Sequence, residues 1–184
     1  VFHNIVLSSI KTSYPGQANK VINALWGAGQ MMFNKLLFIF DEDADLHNTN
    51  DLIKRLCQET HPIDDVFLGR GPMDVLDHAS HKFAVGGKVG FDATKKGRDV
   101  KPEKIHIEID LIQQAFTQVV ELDCRFINDN VPILLIRLEK ENSGDERAIA
   151  KRMLDDNLIA GVKYVVFIEK VASFDSLGDI VWRV

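Results

Sequence analysis

The sequence predicts an α/β fold: a mostly parallel sheet flanked by helices, organised as two similar βαβα units joined by a glycine-rich loop region. Three observations lead there. Continuous apolar runs, such as Lys35-Leu36-Leu37-Phe38-Ile39-Phe40, suit parallel strands buried on both faces. The stretches between them have helical periodicity. Laid over itself with Lys163 on Lys35 and no gap, the C-terminal segment repeats the apolar pattern of the N-terminal one.

Each element follows in order. Ile5-Val6-Leu7 opens the first strand. Val21, Leu25, Ala28 and Met32 form a helical stripe, and Pro15-Gly16 marks its start. Lys35 to Phe40 is the second strand. Asp51-Leu52-Ile53-Lys54-Arg55-Leu56 begins a second helix, with Asp45 and Asn50 as candidate caps. Val66-Phe67-Leu68 is a third strand. Residues 69–97 carry six glycines and one proline, too many for a regular helix, and are expected to form a long functional loop. Ile105 to Ile109 alternates like an edge strand. Leu111 to Leu122 carries a helical stripe of Ile112, Ala115, Phe116 and Val119. The second copy then runs through Ile133-Leu134-Leu135, a helix start at Ser143-Gly144-Asp145, a strand from Lys163 to Ile168, and a last helix from Asp179 to Val184. A strand–helix–strand unit of this length closes as a right-handed crossover. The repeat is either a duplication or one packing solution reached twice. The expected division is 1–100 and 101–184, the second part resembling 2–56.

Bulk properties narrow the function. A chain of 184 residues fits one domain or two small units. Its 27 acidic against 22 basic residues argue against nucleic acid or an anionic membrane as main partner. No apolar run approaches the ~20 residues of a membrane helix, and no signal peptide precedes the first strand. Cys57 and Cys124 are too few for a disulfide framework, so they read as small buried hydrophobes in a cytoplasmic protein. The chain starts at Val1 without Met and enters a strand almost at once, which suggests a fragment of a longer protein.

The candidate sites are few. Gly86-Gly87-Lys88-Val89-Gly90 offers backbone N–H groups and a lysine, as an anion-binding nest would, but lacks the phosphate-loop spacing and reads generically as a turn. Asp92 and Thr94 can hydrogen-bond neighbouring backbone. Asp41, Glu42, Asp43 and Asp45 follow the end of a strand, where α/β proteins hold ligands. They lack the central glycine of a calcium loop, and the repeat places Val171 and Ser173 opposite Asp43 and Asp45. Capping and solvation outweigh metal binding there. Asp77, His78 and His81 cluster without a third ligand nearby. No metal site and no catalytic nucleophile is predicted. Trp26 suits the core, and Trp182 is a candidate interface anchor.

Four segments in sequence order carry a resemblance: Tyr14-Pro15-Gly16-Gln17-Ala18, Asp41-Glu42-Asp43-Ala44-Asp45, Pro72-Met73-Asp74-Val75-Leu76-Asp77-His78-Ala79-Ser80, and Gly86 through Lys96. Together they resemble the C-terminal domain of the UbiD-type (3-polyprenyl-4-hydroxybenzoate) decarboxylases, over Phe2 to Lys96. The family's glycine–lysine–glycine–Asp-Ala-Thr signature falls on Gly87, Lys88, Gly90, Asp92, Thr94 and Lys95. The resemblance implies a carboxy-lyase acting on an aromatic or α,β-unsaturated acid, including the prenylated hydroxybenzoate of ubiquinone and menaquinone biosynthesis. It places prenylated FMN, its metal ions and a Glu–Arg–Glu set in an upstream flavin-binding domain. No catalytic residue therefore carries over, and this fragment is expected to bind no cofactor. Gly71, Pro72 and Met73 fall on a loop that covers the substrate. The implied partners are that upstream domain and further copies in a homo-oligomer. One departure stands out: family members often carry a basic residue in the first helix, where this chain reads Gly27-Ala28-Gly29-Gln30. A non-catalytic assembly or partner-binding module derived from the family is the alternative. A flavodoxin-type ligand domain fits less well, because Ser9 to Tyr14 contains no glycine to cradle phosphate.

Overall fold

The computed structural model describes residues 4–77, 80, 82–97, 104–169 and 180. The chain divides into two compact units, Val1–Lys101 and Pro102–Val184.

In the first unit, β1 (Ile5–Ile10) leads to α1 (Gln17–Trp26), a 3-10 turn (Gly29–Phe33) and β2 (Leu36–Asp41). Next come α2 (Thr49–Glu59), β3 (Val66–Pro72) and β4 (Val85–Asp92). The sheet order is β1-β2-β4-β3. β1, β2 and β4 run parallel and β3 pairs antiparallel with β4. Alternation along β2 sends Leu37 and Ile39 to one face, against Ala18 and Ile22 of α1. Phe40 joins Leu52 of α2 and Ala93 in a second core. The predicted stripe Val21–Met32 is not one helix. α1 stops at Trp26, and two glycines within three residues, Gly27 and Gly29, turn the chain into the 3-10 segment. The cap of α2 also differs from expectation. Asn48 Oδ1 accepts from the Asp51 N–H at 3.2 Å, whereas Asp45 accepts from the His47 N–H at 2.9 Å.

The second unit contains β5 (His106–Ile107), α3 (Ile109–Ala115), β6 (Val119–Asp123), α4 (Arg125–Asn128), β7 (Ile133–Leu138), α5 (Asp145–Asp155), β8 (Ile159–Ala160) and β9 (Tyr164–Glu169). β6-β7-β9 form one sheet, antiparallel then parallel, and β5 pairs antiparallel with β8. The expected helix over Leu111–Leu122 ends at Ala115, because the β-branched pair Val119-Val120 joins β7 as a strand. Val119 still faces the core with Ile112 and Phe116, which is why the stripe looked continuous. The edge strand expected over Ile105–Ile109 contracts to His106–Ile107. Of the predicted last helix only Ile180 is described, and it is buried; Trp182 lies outside the described residues.

Two larger expectations are corrected. The sheets are mixed: among the described strands three pairings are parallel and three antiparallel. Within the glycine-rich stretch 69–97, residues 69–72 and 85–92 are not loop but the paired strands β3 and β4, which leaves 73–84 as their connection. Glycine lowers strand propensity, so the sequence showed only the start of β3, Val66–Leu68, and hid β4. Gly69, Gly86 and Gly90 instead permit close approach of neighbouring side chains.

The two βαβ copies agree in detail. The offset that sets Ile133 on Ile5 also sets Tyr164 on Leu36, and both pairs are parallel partners in register. Gly16 (φ 81°) and Gly144 (φ 92°) precede α1 and α5 in the left-handed conformation that glycine tolerates. The next residue reaches back in each: Gln17 Oε1 accepts from the Ser13 N–H at 2.7 Å, and Asp145 Oδ2 accepts from the Glu141 N–H at 2.9 Å.

Candidate functional site

The β3–β4 hairpin gathers the signature residues. Register sets Gly71 opposite Gly86, Arg70 opposite Gly87, Gly69 opposite Lys88 and Phe67 opposite Gly90. A Cβ on Gly90 would lie 2.9 Å from Ile22 Cγ2, and one on Gly69 would lie 3.0 Å from the Trp26 ring. α1 therefore sits directly on the hairpin backbone, which only glycine permits. Gly87 faces outward with nothing near its missing Cβ.

Lys88 projects inward and is buried. Its Nζ donates to the Met32 carbonyl at 2.6 Å and to the Asn34 carbonyl. Both acceptors lie at the C-terminal end of the 3-10 turn, where carbonyls lack intrahelical partners. Burial pushes the Lys88 ammonium below its ordinary pKa. Asn34, fully buried, donates to the Met31 carbonyl at 2.6 Å and accepts from Trp26 Nε1 at 2.9 Å. Trp26, Asn34 and Lys88 thus form one hydrogen-bonded chain beneath α1, so Trp26 is tied into the unit.

At the far end of β4, Asp92 Oδ1 accepts from the Thr94 N–H at 3.0 Å and from Thr94 Oγ1 at 2.6 Å. Lys96 joins them. Its Nζ lies 3.2 Å from Asp92 Oδ1 and donates to the Asp92 and Thr94 carbonyls at 2.7 and 2.8 Å. The sequence reading passed over Lys96, although a lysine four residues after a buried aspartate is the available signal. Lys95 instead ties the hairpin to the acidic turn. Its N–H donates to Asp41 Oδ2 at 2.6 Å and its Nζ to Asp43 Oδ2 at 2.6 Å. The Lys95 ammonium, with Arg55 behind it, holds the exposed Asp43 carboxyl below its usual range. Within the acidic turn, Asp43 is thus paired with two basic side chains, while Asp41 and Asp45 accept from the backbone N–H groups of Lys95 and His47.

Gly71 and Pro72 end β3, and Met73 is fully buried against Gly86. Beside them Val75, Leu76 and Phe83 are exposed, as is Leu68 on β3. Asp77 pairs with Lys35 at 3.0 Å; His78 and His81 lie outside the described residues. Among the described residues no group of three His, Cys, Asp or Glu side chains is placed to hold a metal ion. The same residues do not fit a flavin phosphate. Gly86 to Gly90 lie within a paired strand rather than an open nest, Lys88 is committed to carbonyls, and the last turn of α1 has no basic residue. No helix is long and apolar enough to cross a membrane among the described residues. The hairpin turns Lys88 and Asp92 inward and leaves Leu68, Arg70 and Val85 on its strands exposed.

Comparison with known proteins identifies that hairpin. Residues 1–93 match the family model of the 3-octaprenyl-4-hydroxybenzoate carboxy-lyase C-terminal domain. The chain belongs to this family, the UbiD class. An uncharacterized protein of Helicobacter pylori is 32% identical over 188 residues, covering 100% of this chain and 30% of the relative. The chain thus spans about 30% of that relative's length. The UbiD-class enzyme HmfF of Pelotomaculum thermopropionicum, solved in complex with FMN, aligns with a TM-score of 0.47 at 20% identity, covering 54% of this chain and 23% of that one. The open form of vanillic acid decarboxylase from Sedimentibacter hydroxybenzoicus aligns with a TM-score of 0.48 at 20% identity, covering 83% and 27%.

Proposed function

We propose that this chain is the C-terminal part of a UbiD-type carboxy-lyase that removes CO2 from an aromatic or α,β-unsaturated acid. The prenylated hydroxybenzoate of quinone biosynthesis is the candidate the family description favours. The observation that carries the reading is the family match over residues 1–93, which includes every signature residue from Gly87 to Asp92. Prenylated FMN, bound elsewhere in the longer protein, supplies the electron sink for loss of CO2. The described residues do not fit that group, so no step of the reaction is routed through them. Their work is mechanical. The unit packs on the flavin domain, contributes to a homo-oligomer, and carries the 71–77 segment over the acid so that water is excluded. The hairpin suits this task because Lys88 and Asp92 are satisfied internally while Leu68, Val75, Leu76 and Phe83 stand exposed.

A second reading, a non-catalytic assembly module, draws on the uncharged Gly27-Ala28-Gly29-Gln30 stretch and on the added second unit. One experiment separates the two. The 184-residue chain and the longer protein are purified side by side, then assayed for bound flavin, CO2 release and mass by light scattering. The decarboxylase reading expects flavin and turnover in the longer protein alone. Colour and turnover in the short chain would place the active site wrongly here. A longer protein without either, but with a defined oligomer, favours the assembly module.

A further inference from the structure

The turn after β3 presents two apolar side chains and is fastened at both ends. Val75 and Leu76 are 62% and 59% exposed. Asp74 shapes the turn: its Oδ1 accepts from the Leu76 N–H and its carbonyl from the Asp77 N–H, each at 2.9 Å. At the leading end Met73 is fully buried, and its N–H donates to the Ala84 carbonyl at 3.0 Å. Met73 Cγ fills the space a side chain on Gly86 would need. At the trailing end the Asp77 carboxylate, with its side chain only 3% exposed, accepts from Lys35 Nζ at 3.0 Å and from Ser80 Oγ. Lys35 is itself stitched into the sheet: its N–H donates to the Asn4 carbonyl and its carbonyl accepts from the Val89 N–H, both at 2.9 Å.

These observations belong together. A carboxylate is buried this deeply only when it is paired and hydrogen-bonded, since desolvation otherwise expels it or neutralises it. Apolar side chains at a loop tip gain nothing from water. Ala84, next to the exposed Phe83, adopts φ 54°, a left-handed conformation that costs a non-glycine residue energy. A connection that only had to join two strands would need neither the buried ion pair nor the strained alanine. Both are intelligible if the direction in which Val75 and Leu76 point matters.

We propose that Asp77, held by Lys35 and Ser80, is a positioning residue that fixes Val75 and Leu76 in the orientation with which they close over the substrate acid. The inference rests on the decarboxylase reading and names the contact that sets its closing segment. It makes Asp77 act through the turn and not on the reacting atoms.

Hydrogen exchange and kinetics test it together. In the 184-residue chain, Asp77→Ala and Lys35→Met are each expected to speed exchange of the Leu76 and Asp77 amides at least tenfold. Exchange in the β1–β2 pairing should stay unchanged. The double variant should add little to either single one, because the two side chains form one unit. If Asp77→Ala fails to fold, Asp77→Asn, which keeps the shape and an acceptor for Ser80, carries the measurement. Unchanged exchange in a folded variant overturns the latch. In the longer protein, Asp77→Asn should lower kcat/KM for 4-hydroxybenzoate or vanillate about tenfold, with flavin content and melting temperature unaltered; a tenfold loss corresponds to roughly 1.4 kcal/mol. Faster exchange with unaltered kcat/KM overturns the positioning role. A wild-type longer protein that turns over neither acid counts against the decarboxylase reading, while the exchange arm still decides whether Asp77 fixes the turn.

Discussion

The two βαβ copies share their strand register, their left-handed glycine and their back-reaching side chain, yet their helices bury different faces. In α1 the buried positions are Ala18 and Ile22; in α5 they are Ile149 and Met153. Under the alignment that matches the strands, Ile149 and Met153 fall on Val21 and Leu25. The buried face of the second helix is therefore displaced by three residues, about 60° around the helix axis. The cause lies in what flanks each copy. In the first unit β4 extends the sheet beside β2, and Gly90 opens a notch into which Ile22 fits. In the second the sheet grows on the other side, through β6, and Ile149 and Met153 share a core with Ile112 and Phe116 of the α3 segment. Arg152 of α5 stands 5.2 Å over the Phe116 ring, on that same side. A common βαβ scaffold thus acquires a different helix phase from the strand added to it.

Truncation at the contrasting positions should break the comparison most visibly. Ile22→Ala and Ile149→Ala are each expected to cost about 2–5 kcal/mol, as full burial of isoleucine implies. Val21→Ala, partly buried in its own helix although aligned with Ile149, should cost no more than about 1 kcal/mol. Urea denaturation measures all three. Equal losses at Val21 and Ile22 would mean that the helices are not rotated.

The next largest effects lie within the hairpin. Gly90→Ala forces a Cβ to 2.9 Å from Ile22 and should destabilise by about 1–3 kcal/mol, with partial rescue by Ile22→Val. Gly87→Ala, three residues away in the same signature, meets nothing within 4 Å and should be neutral or stabilising by a few tenths of a kcal/mol. Lys88→Met leaves the Met32 and Asn34 carbonyls without their donor, at about 1–3 kcal/mol. The pH dependence adds a sign. Burial lowers the Lys88 pKa in the folded state, so between that value and the ordinary 10.5 the unfolded chain binds more protons. Wild-type stability relative to Lys88→Met should therefore rise with pH across that window. A difference that falls with pH would mean that the lysine carries a buried countercharge.

Much of this was legible in the sequence for a definite reason. β2, β7 and β9 are dominated by apolar runs, and the repeat that lays Lys163 on Lys35 already matched the strands of the two copies. The family signature was likewise readable as consecutive letters. What escaped is what depends on a partner far along the chain. Gly69 and Gly90 read as loop because their purpose, contact with Trp26 and Ile22, is tertiary. The Lys35–Asp77 pair joins residues separated by a strand, a helix and another strand, and no local pattern announces it. The partners of Asp43 in the acidic turn, Arg55 and Lys95, likewise come later in sequence, so their pairing was not legible from the turn itself.

The finest contrast between the copies concerns charge. Gln17 and Asp145 occupy the same place, each reaching back to an amide four residues earlier, and Asp145 also accepts from the Asn142 N–H at 2.8 Å. These backbone N–H groups hold the Asp145 carboxyl below its ordinary range. A carboxylate lowered on folding stabilises above its unfolded pKa, and that contribution is lost as pH falls through the folded value. The second loop should therefore loosen in acid, while the first, held by a neutral amide, should not. Amide exchange at Glu141 and Ser13 between pH 6 and pH 3, corrected for intrinsic rates, checks this. Protection at Glu141 should decline and protection at Ser13 hold. Asp145→Asn should remove the acid sensitivity and Gln17→Glu should transfer it to the first copy. If neither swap moves it, the shared geometry of the two loops does not set their strength.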